Sequence, residues 1–358
     1  MKILFDGYWL SGGPISNAMV QRQIIENWAL SFPEDEIYIS VREGYNFPLE
    51  INAKYIKVSR SLHAFSVFFE LPRIARKIRA DAVLTHNFSS PIFKSTTIVF
   101  IQDFIFMEHP KWFTFKELAY FALMPISSRF ARLVFTSSQT EADRISRFLK
   151  RPVTATMLGI APDLRDAVPI SPDSRLEEKK FMLTIGRLTE RKNLLLTLES
   201  ALDSGLVTAK DPIVVVGEKS GKFSGLSPRI IEAIKTERVV LLDNLGAGEI
   251  AWLYLNCSNF LFFSLDEGYG LPAMEALYFG APTKLSDIPV FRELVGVHGV
   301  FADPRNPVEI KKAILSSSST PKRGITPPSW QEVVTKIRSQ MLDRPVGWAK
   351  RKKQKLNH

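Results

Sequence analysis

The sequence predicts an α/β protein built from two doubly wound parallel sheets, and three observations support this fold class. Short apolar runs alternate with amphipathic stretches through the first half of the chain, as expected where helices join parallel strands. The same alternation resumes after a polar, proline-containing stretch at 162–180 and continues to about residue 317. The length of 358 residues exceeds what one ordinary hydrophobic core holds, so two domains are expected.

The apolar runs locate the elements of the first half. Strands are predicted at 2–6, 36–41, 54–58, 81–86, 97–101 and 133–136. A helix is predicted near 16–31, after the loop that contains Gly12 and Gly13, and a last helix is predicted near 329–342.

Composition limits the class of protein. Hydrophobic residues make up 45% of the chain and charged residues 23%, which is typical of a globular protein. The single cysteine, Cys257, cannot form an intrachain disulfide, which fits a reducing cytoplasm. Asp6 interrupts the first apolar run, so no signal peptide is expected, and no stretch approaches the ~20 apolar residues of a membrane span. No Cys/His cluster has metal-ligand spacing, so neither a metal nor a cofactor is predicted.

The net charge of +10 indicates negatively charged partners. Nucleotide diphosphates and an anionic membrane surface are favoured over nucleic acid, because the chain contains no nucleic-acid-binding motif. Three stretches are candidates for membrane contact: the aromatic and basic segments 61–79 and 113–132, and the basic tail at 346–358. Core-facing helices and a solvated tail are the alternative interpretations of the same stretches.

The most informative segment is Asp266–Leu277. An apolar strand at 260–264 precedes it, and Glu267 and Glu275 lie eight positions apart on either side of the loop Gly268-Tyr269-Gly270-Leu271-Pro272. Glycines allow a ligand close to the backbone, and a proline suits the first turn of a helix. A helix start favours phosphate, while carboxylates accept hydrogen bonds from hydroxyls. A sugar nucleotide offers both groups.

A second candidate segment is Phe181–Leu194. Here a strand is followed by Gly186-Arg187, and Lys192-Asn193 precede a helix. An arginine guanidinium can donate two parallel hydrogen bonds, and a lysine ammonium carries a compact positive charge, so the two together suit a diphosphate. In isolation, a solvated basic loop would explain these residues equally well.

Together the two segments resemble the retaining glycosyltransferases of family 4, which have the GT-B fold and a Glu-x7-Glu motif, and in particular bacterial surface-polysaccharide mannosyltransferases. The resemblance covers about residues 1–310 and is strong from 181 onward. It implies that Glu267 contacts the transferred sugar and that Glu275 holds the ribose. It also implies catalytic roles for Arg187 and Lys192 at the diphosphate, and donor binding by Gly268, Tyr269, Gly270 and Leu271.

The resemblance extends to the first half with one departure. The loop with Gly12 and Gly13 resembles the family's first glycine loop. Many relatives carry His-Asp after a strand of this domain, with the histidine near the donor sugar, whereas this chain has Gln102-Asp103. Glutamine can bind a hydroxyl but cannot carry a proton, so either Gln102 or His86 is the candidate for the histidine's role.

The resemblance also implies the domain organisation. An acceptor-side Rossmann-like domain is expected at 1–165 and a donor domain at 166–328, with the donor in a cleft between them. A crossover helix at 329–345 is expected to pack back on the first domain, followed by the tail.

The leading hypothesis is a metal-independent, cytoplasmic or peripheral membrane hexosyltransferase. It would use a GDP- or UDP-linked sugar and a glycan or lipid-linked glycan acceptor. Three alternatives stay open at this stage: a GT-B sugar-nucleotide epimerase, a non-catalytic sugar-nucleotide-binding scaffold, and a dinucleotide oxidoreductase. The last is disfavoured because no Gly-x-Gly-x-x-Gly follows the first strand.

Overall fold

A computed structural model describes residues 1–12, 15–45, 49–59, 62–93, 97–217, 225–317 and 326–343. The chain divides into two compact units. The first unit comprises Met1–Phe104, Lys116–Gly159 and the chain from Pro328 onward, and the second comprises Ile105–Phe115 and Ile160–Pro327. None of the described helices is both long enough and apolar enough to cross a membrane.

The described strands, in chain order, are β1 (Lys2–Asp6), β2 (Glu36–Arg42), β3 (Ala53–Val58), β4 (Ala82–His86), β5 (Thr97–Phe100), β6 (Leu133–Thr136), β7 (Thr154–Ala155), β8 (Met182–Ile185), β9 (Ile213–Val216), β10 (Val239–Leu242), β11 (Asn259–Phe262), β12 (Thr283–Ser286) and β13 (Val300–Ala302).

The described α-helices are α1 (Ile15–Ser31), α2 (His63–Phe65), α3 (Leu71–Ile78), α4 (Ile105–Glu108), α5 (Phe115–Phe121), α6 (Met124–Ser127), α7 (Gln139–Leu149), α8 (Pro162–Arg165), α9 (Leu194–Asp203), α10 (Pro228–Lys235), α11 (Ala247–Asn256), α12 (Leu271–Tyr278), α13 (Pro289–Val295), α14 (Pro307–Leu315) and α15 (Trp330–Asp343). A π-helical turn at Ser66–Glu70 joins α2 to α3, and 3₁₀ turns lie at Tyr8–Ser11, Pro110–Trp112, Ser128–Phe130, Ser174–Leu176 and Glu190–Lys192.

The first unit contains a parallel sheet with the strand order β3-β2-β1-β4-β5-β6-β7. The strands β4, β5 and β6 are buried along their whole length, as expected when helices cover both faces. The order reverses between β1 and β4, and such a switch point is where open α/β sheets bind ligands. Asp6 and His86 end these two strands.

The last described helix, α15, belongs to the first unit and is anchored there by an ion pair. Arg338 Nε lies 3.1 Å from Asp35 Oδ2, and Asp35 also accepts hydrogen bonds from the N-terminal ammonium at 2.6 Å and from Trp28 Nε1 at 3.1 Å. Burial would raise the pKa of the Asp35 carboxyl, but these donors lower it below its usual value. The aspartate therefore ties α15 to the chain's beginning.

The second unit contains a parallel sheet with the order β10-β9-β8-β11-β12-β13. Its switch point lies between β8 and β11, which are the strands that precede the two candidate segments. The apolar core beneath the sheet includes Leu198, Ile213, Leu261, Phe263 and Ile310. This core holds the loops after β8 and β11 at the same edge.

The predicted fold class is confirmed: the protein is α/β, and each unit is a doubly wound parallel sheet. The six strands predicted in the first half are all present, with ends shifted by no more than one residue, and β7 is an additional two-residue strand that the sequence did not predict. The stretch 162–180 belongs to the second unit and contains α8 and a 3₁₀ turn. Leu164 and Leu176 are buried and anchor it there, whereas most of its other side chains are exposed. The segment 105–115 also belongs to the second unit, although it lies within the first domain in sequence.

Candidate active site

The loop between β11 and α12 contains a glycine that no other residue can replace without a steric clash. Gly270 has φ +86°, and a Cβ there would lie 2.4 Å from Cε1 of Phe291. The following helix begins at Leu271 with Pro272 in its first turn. The glycine thus turns the chain sharply into α12, and the buried residues Gly268 and Tyr269 lie in the same turn.

Glu267 is held in this loop by two cations. Its Oε2 lies 2.6 Å from Arg191 Nη1, and its Oε1 lies 2.6 Å from Lys192 Nζ. The side chain of Glu267 is 6% exposed, and those of Arg191 and Lys192 are 14% exposed. The carboxylate is therefore fixed in orientation as well as neutralised.

Both members of the buried pair are charged at neutral pH. Burial would raise the pKa of the Glu267 carboxyl, but the adjacent Arg191 and Lys192 outweigh burial and bring the pKa down to about 2. Burial lowers the pKa of the Lys192 ammonium to about 8, although Glu267 opposes this effect. The Lys192 ammonium also lies 4.7 Å from the centre of the Phe262 ring, a cation–π contact.

Backbone contacts join the loop after β8 to the loop after β11. The N–H of Leu265 donates to the Arg191 carbonyl at 2.8 Å, and Arg191 Nη1 donates to the Asp266 carbonyl at 2.9 Å. Asn193, which caps α9 in the left-handed conformation at φ 54°, donates from Nδ2 to the Phe263 carbonyl at 3.0 Å. The position of Glu267 thus depends on both loops.

Arg187 differs from its two cationic neighbours. It follows Gly186 at the end of β8, and its side chain is exposed. Within the part of the chain that the structure describes, no carboxylate pairs with it. Its charge also lowers the pKa of Lys192, so the two cations influence one another. An exposed guanidinium beside a buried ion-paired cluster can accept an added anion.

Glu275 lies eight positions after Glu267, within α12, and its environment is different. The hydroxyl of the fully buried Tyr254 donates to Glu275 Oε2 at 2.9 Å. Burial raises the pKa of the Glu275 carboxyl to about 7, and the Tyr254 hydrogen bond and the Lys192 charge offset only part of this effect. The two glutamates of the segment therefore differ: Glu267 is ionised, and Glu275 exchanges a proton near neutral pH.

A further group of side chains lies beside Glu267. Glu108, His109 and Asp266 each bring one possible metal-ligand atom within 4.8 Å of the others. His109 Nε2 is 3.8 Å from Asp266 Oδ2, and its ring stacks on Trp112 at 4.0 Å. The sequence did not predict this group because Glu108 and His109 are far from Asp266 along the chain.

The remaining predicted donor-binding residues lie in the first unit. Gly12 is exposed, with φ +109°, and its carbonyl accepts a hydrogen bond from Arg42 Nη2 at 2.7 Å. Gln102 and Asp103 follow β5 and are half-buried. Gly13 and the basic tail at 346–358 lie outside the described residues.

Two site residues were not predicted from the sequence. Arg191 has no signal in the sequence that distinguishes it from the adjacent Lys192, yet a buried carboxylate with two oxygens can pair with two cations. Tyr254 lies in an apolar helix and carries no local signal of function. It could have been found only by asking which hydroxyl satisfies a glutamate in an otherwise apolar helix.

We expect Gly270→Ala to be much more destabilising than Gly280→Ala. Gly280 has a similar φ of +76°, but no atom lies within 4 Å of an added Cβ. Gly280→Ala therefore measures the cost of the left-handed backbone conformation alone. The control should lose about 1 kcal/mol of unfolding free energy from the left-handed conformation, and Gly270→Ala about 1–3 kcal/mol more from overpacking. Denaturant titration of both variants measures the difference, and equal losses would show that Phe291 moves aside freely.

We also expect the stability of the protein to report the titration of Glu275. A carboxyl whose pKa is raised to about 7 in the folded state binds more protons than in the unfolded state, where its pKa is about 4.3. As pH rises between these values, the wild type should lose stability relative to Glu275→Gln, by on the order of 2 kcal/mol. Denaturant titration from pH 5 to 8 tests this, with the exposed Glu178→Gln as control. A pH-independent difference would contradict the assignment.

Comparison with known proteins shows that the chain is similar to glycosyltransferases. The family model described as "Glycosyl transferases group 1" matches residues 170–324. The chain is 25% identical over 214 residues to O-antigen chain mannosyltransferase B of Escherichia coli, a match that covers 57% of this chain and only about half (54%) of that protein. It is 23% identical over 262 residues to O-antigen chain mannosyltransferase RfbU of Salmonella typhimurium, covering 72% of this chain and 71% of that one.

The fold is also that of solved glycosyltransferase structures. Sucrose-phosphate synthase from Thermosynechococcus elongatus superposes with a TM-score of 0.63 at 16% identity, covering 97% of this chain and 95% of that one. It has the GT-B fold, so the predicted fold name is confirmed along with the fold class. The resemblance indicated by the sequence is confirmed as well: the chain is similar to surface-polysaccharide mannosyltransferases, and its second unit matches the group 1 glycosyl transferases.

Proposed function

We propose that the protein is a retaining glycosyltransferase of surface-polysaccharide synthesis. It would transfer a hexose from a GDP- or UDP-linked sugar to a glycan or to a lipid-linked glycan. The observation that carries this proposal is the buried Glu267 carboxylate clamped by Arg191 and Lys192 beside the exposed Arg187. The mannosyltransferase names of the relatives favour mannose as the hexose.

The proposed mechanism assigns one task to each group. Arg187 and Lys192 stabilise the departing diphosphate, which gains negative charge in the transition state. Glu267 accepts hydrogen bonds from hydroxyls of the transferred sugar, and Glu275 accepts one from the ribose. Backbone N–H groups at Gly268–Gly270 complete the donor contacts of the second unit. The acceptor attacks on the face from which the diphosphate leaves, so no covalent enzyme intermediate forms.

Turnover with a panel of nucleotide sugars tests the proposal. The expected result is release of a nucleoside diphosphate coupled to a new glycoside whose anomeric configuration matches that of the donor. Conversion of the donor sugar without an acceptor would indicate the epimerase instead, and binding without any turnover would indicate the scaffold. Because the cations supply the charge that a metal otherwise supplies, activity should persist in chelator. Loss in chelator, restored by magnesium or manganese but not in His109→Ala, would assign a metal to the Glu108–His109–Asp266 group.

The proposed role of Arg187 is testable by nucleotide binding. Arg187→Ala should weaken GDP or UDP binding about 10- to 100-fold, because a hydrogen bond to a charged group contributes about 1.5–3 kcal/mol. Arg229→Ala is the matched control, since Arg229 is exposed in the same unit but paired with Glu199 at 3.0 Å and Asp203 at 2.7 Å. Calorimetric titration should show no change for the control. Wild-type affinity in Arg187→Ala would remove this residue from the diphosphate site.

We further propose that the protein works on the inner face of the plasma membrane as a peripheral protein. In the segment 61–79, Leu62, Phe65 and Phe69 are exposed by 79%, 48% and 44%. The same segment carries four exposed basic residues, Arg73, Arg76, Lys77 and Arg79. Exposed aromatic rings beside basic side chains suit an anionic lipid surface. In 113–132, Phe115, Leu123 and Ile126 are exposed by 86%, 45% and 60%.

Sedimentation with phosphatidylglycerol vesicles tests this surface. The double variant Phe65→Ser/Phe69→Ser should bind several-fold less, because each ring contributes apolar burial in the lipid interface. Leu30→Ser is the control, since Leu30 is 68% exposed in the first unit but lies outside the basic segment. Equal losses in both variants, or none in either, would contradict a docking role for 61–79.

A further inference from the structure

Tyr254 has a buried hydroxyl group to which the proposed mechanism assigns no task. The residue lies in α11, and its side chain is fully buried. Two aromatic rings pack against it: Phe279 stacks at a centroid distance of 5.7 Å, and Phe260 packs edge-on at 5.5 Å. Phe260 belongs to β11, and Phe279 directly follows α12. The elements on either side of the candidate loop therefore hold the Tyr254 ring in place.

The Tyr254 hydroxyl contacts a carboxylate oxygen of Glu275 in α12. It donates to Glu275 Oε2 at 2.9 Å. Burial raises the pKa of the Tyr254 hydroxyl well above its usual value, so the phenol keeps its proton at neutral pH. A buried phenol is costly without a hydrogen-bond partner, and a carboxylate accepts its proton readily. The contact therefore fixes the position of Oε2 and favours the ionised form of Glu275.

The second oxygen of Glu275 is open to a ligand. Among the residues that the structure describes, Oε1 accepts no hydrogen bond, and it is not shielded from solvent, because the side chain is only half-buried. Glu267 has a cation at each of its oxygens and is ionised at neutral pH, whereas burial raises the pKa of Glu275 to about 7. One more donor, at Oε1, would shift Glu275 toward its ionised form.

The other titratable groups around α12 affect Glu275 less than burial does. The Lys192 ammonium, from the loop after β8, lowers the pKa of Glu275 but offsets only part of the effect of burial. The strands β11 and β12 pack against α12, and β11 contains no titratable residue. Lys284 of β12 donates instead to a carbonyl at the end of α14, at 2.7 Å. Cys257, at the end of α11, influences Tyr254 rather than Glu275.

We propose that Tyr254 is a positioning residue of the nucleotide site, which presents Oε1 of ionised Glu275 to a ribose hydroxyl, and that nucleotide binding releases the proton that Glu275 carries in the free protein. The inference rests on the proposed function, in which Glu275 accepts a hydrogen bond from the ribose. The ribose hydroxyl supplies the missing donor at Oε1, and the carboxyl proton passes to the solvent. Nucleotide affinity therefore rises with pH while free Glu275 titrates, until Lys192, whose pKa is about 8, loses its own proton.

Calorimetric titration of the wild-type protein counts the released protons. GDP and UDP are each titrated at pH 6.5 in two buffers that differ in ionisation enthalpy, together with the 2′,3′-dideoxy form of whichever one binds. The ribose and dideoxy forms share the diphosphate, so the protons exchanged by the phosphate and by Lys192 cancel in the comparison. The ribose form should release about 0.5–0.8 proton more, because a carboxyl with a pKa of about 7 is mostly protonated at pH 6.5. Equal release from the two forms would overturn the inference.

Tyr254→Phe distinguishes positioning from a structural role. Loss of the hydroxyl removes a donor to a charged carboxylate, so at pH 6.5 the ribose form should bind about tenfold more weakly than it binds the wild type. This ratio of affinities should shrink as pH rises to 8.5, because Glu275 then ionises without that donor, whereas a structural role would give the same ratio at every pH. The dideoxy form should bind both proteins equally. A ratio that is independent of pH, or an equal loss with the dideoxy form, would contradict positioning by Tyr254.

Tyr278→Phe is the matched control. Tyr278 lies three positions after Glu275 in α12, and among the described residues its hydroxyl makes no hydrogen bond to Glu275. This variant should equal the wild type in nucleotide affinity and in proton release. The comparison of ribose and dideoxy forms needs no variant, so it tests the inference even where Tyr254→Phe folds poorly. Failure of the wild type to bind either GDP or UDP would overturn the proposed function, whereas binding with equal proton release would overturn this inference alone.

Discussion

The carboxylate of Glu267 is the constraint on which the second unit's site depends. A buried carboxylate is costly unless it is paired and hydrogen-bonded, and Arg191 and Lys192 meet that requirement from a different loop. Breaking either contact would leave a charge buried without its partner. The loops after β8 and β11 must therefore keep their mutual geometry, and Gly270 and Asn193 provide the left-handed turns that make it possible. Arg187 is left exposed beside this cluster, as the proposed diphosphate site requires.

The two units have different kinds of polar residue at the switch points of their sheets. Each places polar residues at the carboxyl ends of the two strands that flank its switch point. In the second unit these residues are charged and mutually neutralising, with a cation left over, which suits a diphosphate. At the corresponding edge of the first unit, the Asp6 carboxylate lies 2.7 Å from His63 Nε2, and its neighbours His86, Asn87 and Gln102 are uncharged polar side chains.

The sequence predicted the fold well because its signals are local. An apolar run such as Ala82–His86 predicts a strand, and the glycine and proline of Gly270-Leu271-Pro272 predict the start of a helix. Each pattern spans only a few residues. The local sequence predicted the candidate residues Glu267, Lys192 and Arg187. It did not predict the two ion pairs of Glu267, because the partners lie 75 and 76 positions away and such pairs leave no local pattern. The same reason hid Arg191 as a partner of Glu267 and the Tyr254–Glu275 hydrogen bond. The attachment of 105–115 to the second unit was hidden similarly, since chain order alone placed it in the first.

The central claim is that Glu267 acts on the transferred sugar while the cations act on the diphosphate. The most direct test is to measure turnover and nucleoside diphosphate affinity together in Glu267→Gln, which keeps the shape of the side chain and removes its charge. The account predicts that turnover falls at least ~100-fold, equivalent to about 2.7 kcal/mol of transition-state stabilisation. Binding of the nucleoside diphosphate should be retained or become tighter, because Arg191 and Lys192 lose a neutralising charge. Wild-type turnover, or a loss of diphosphate binding as large as the loss of turnover, would contradict it.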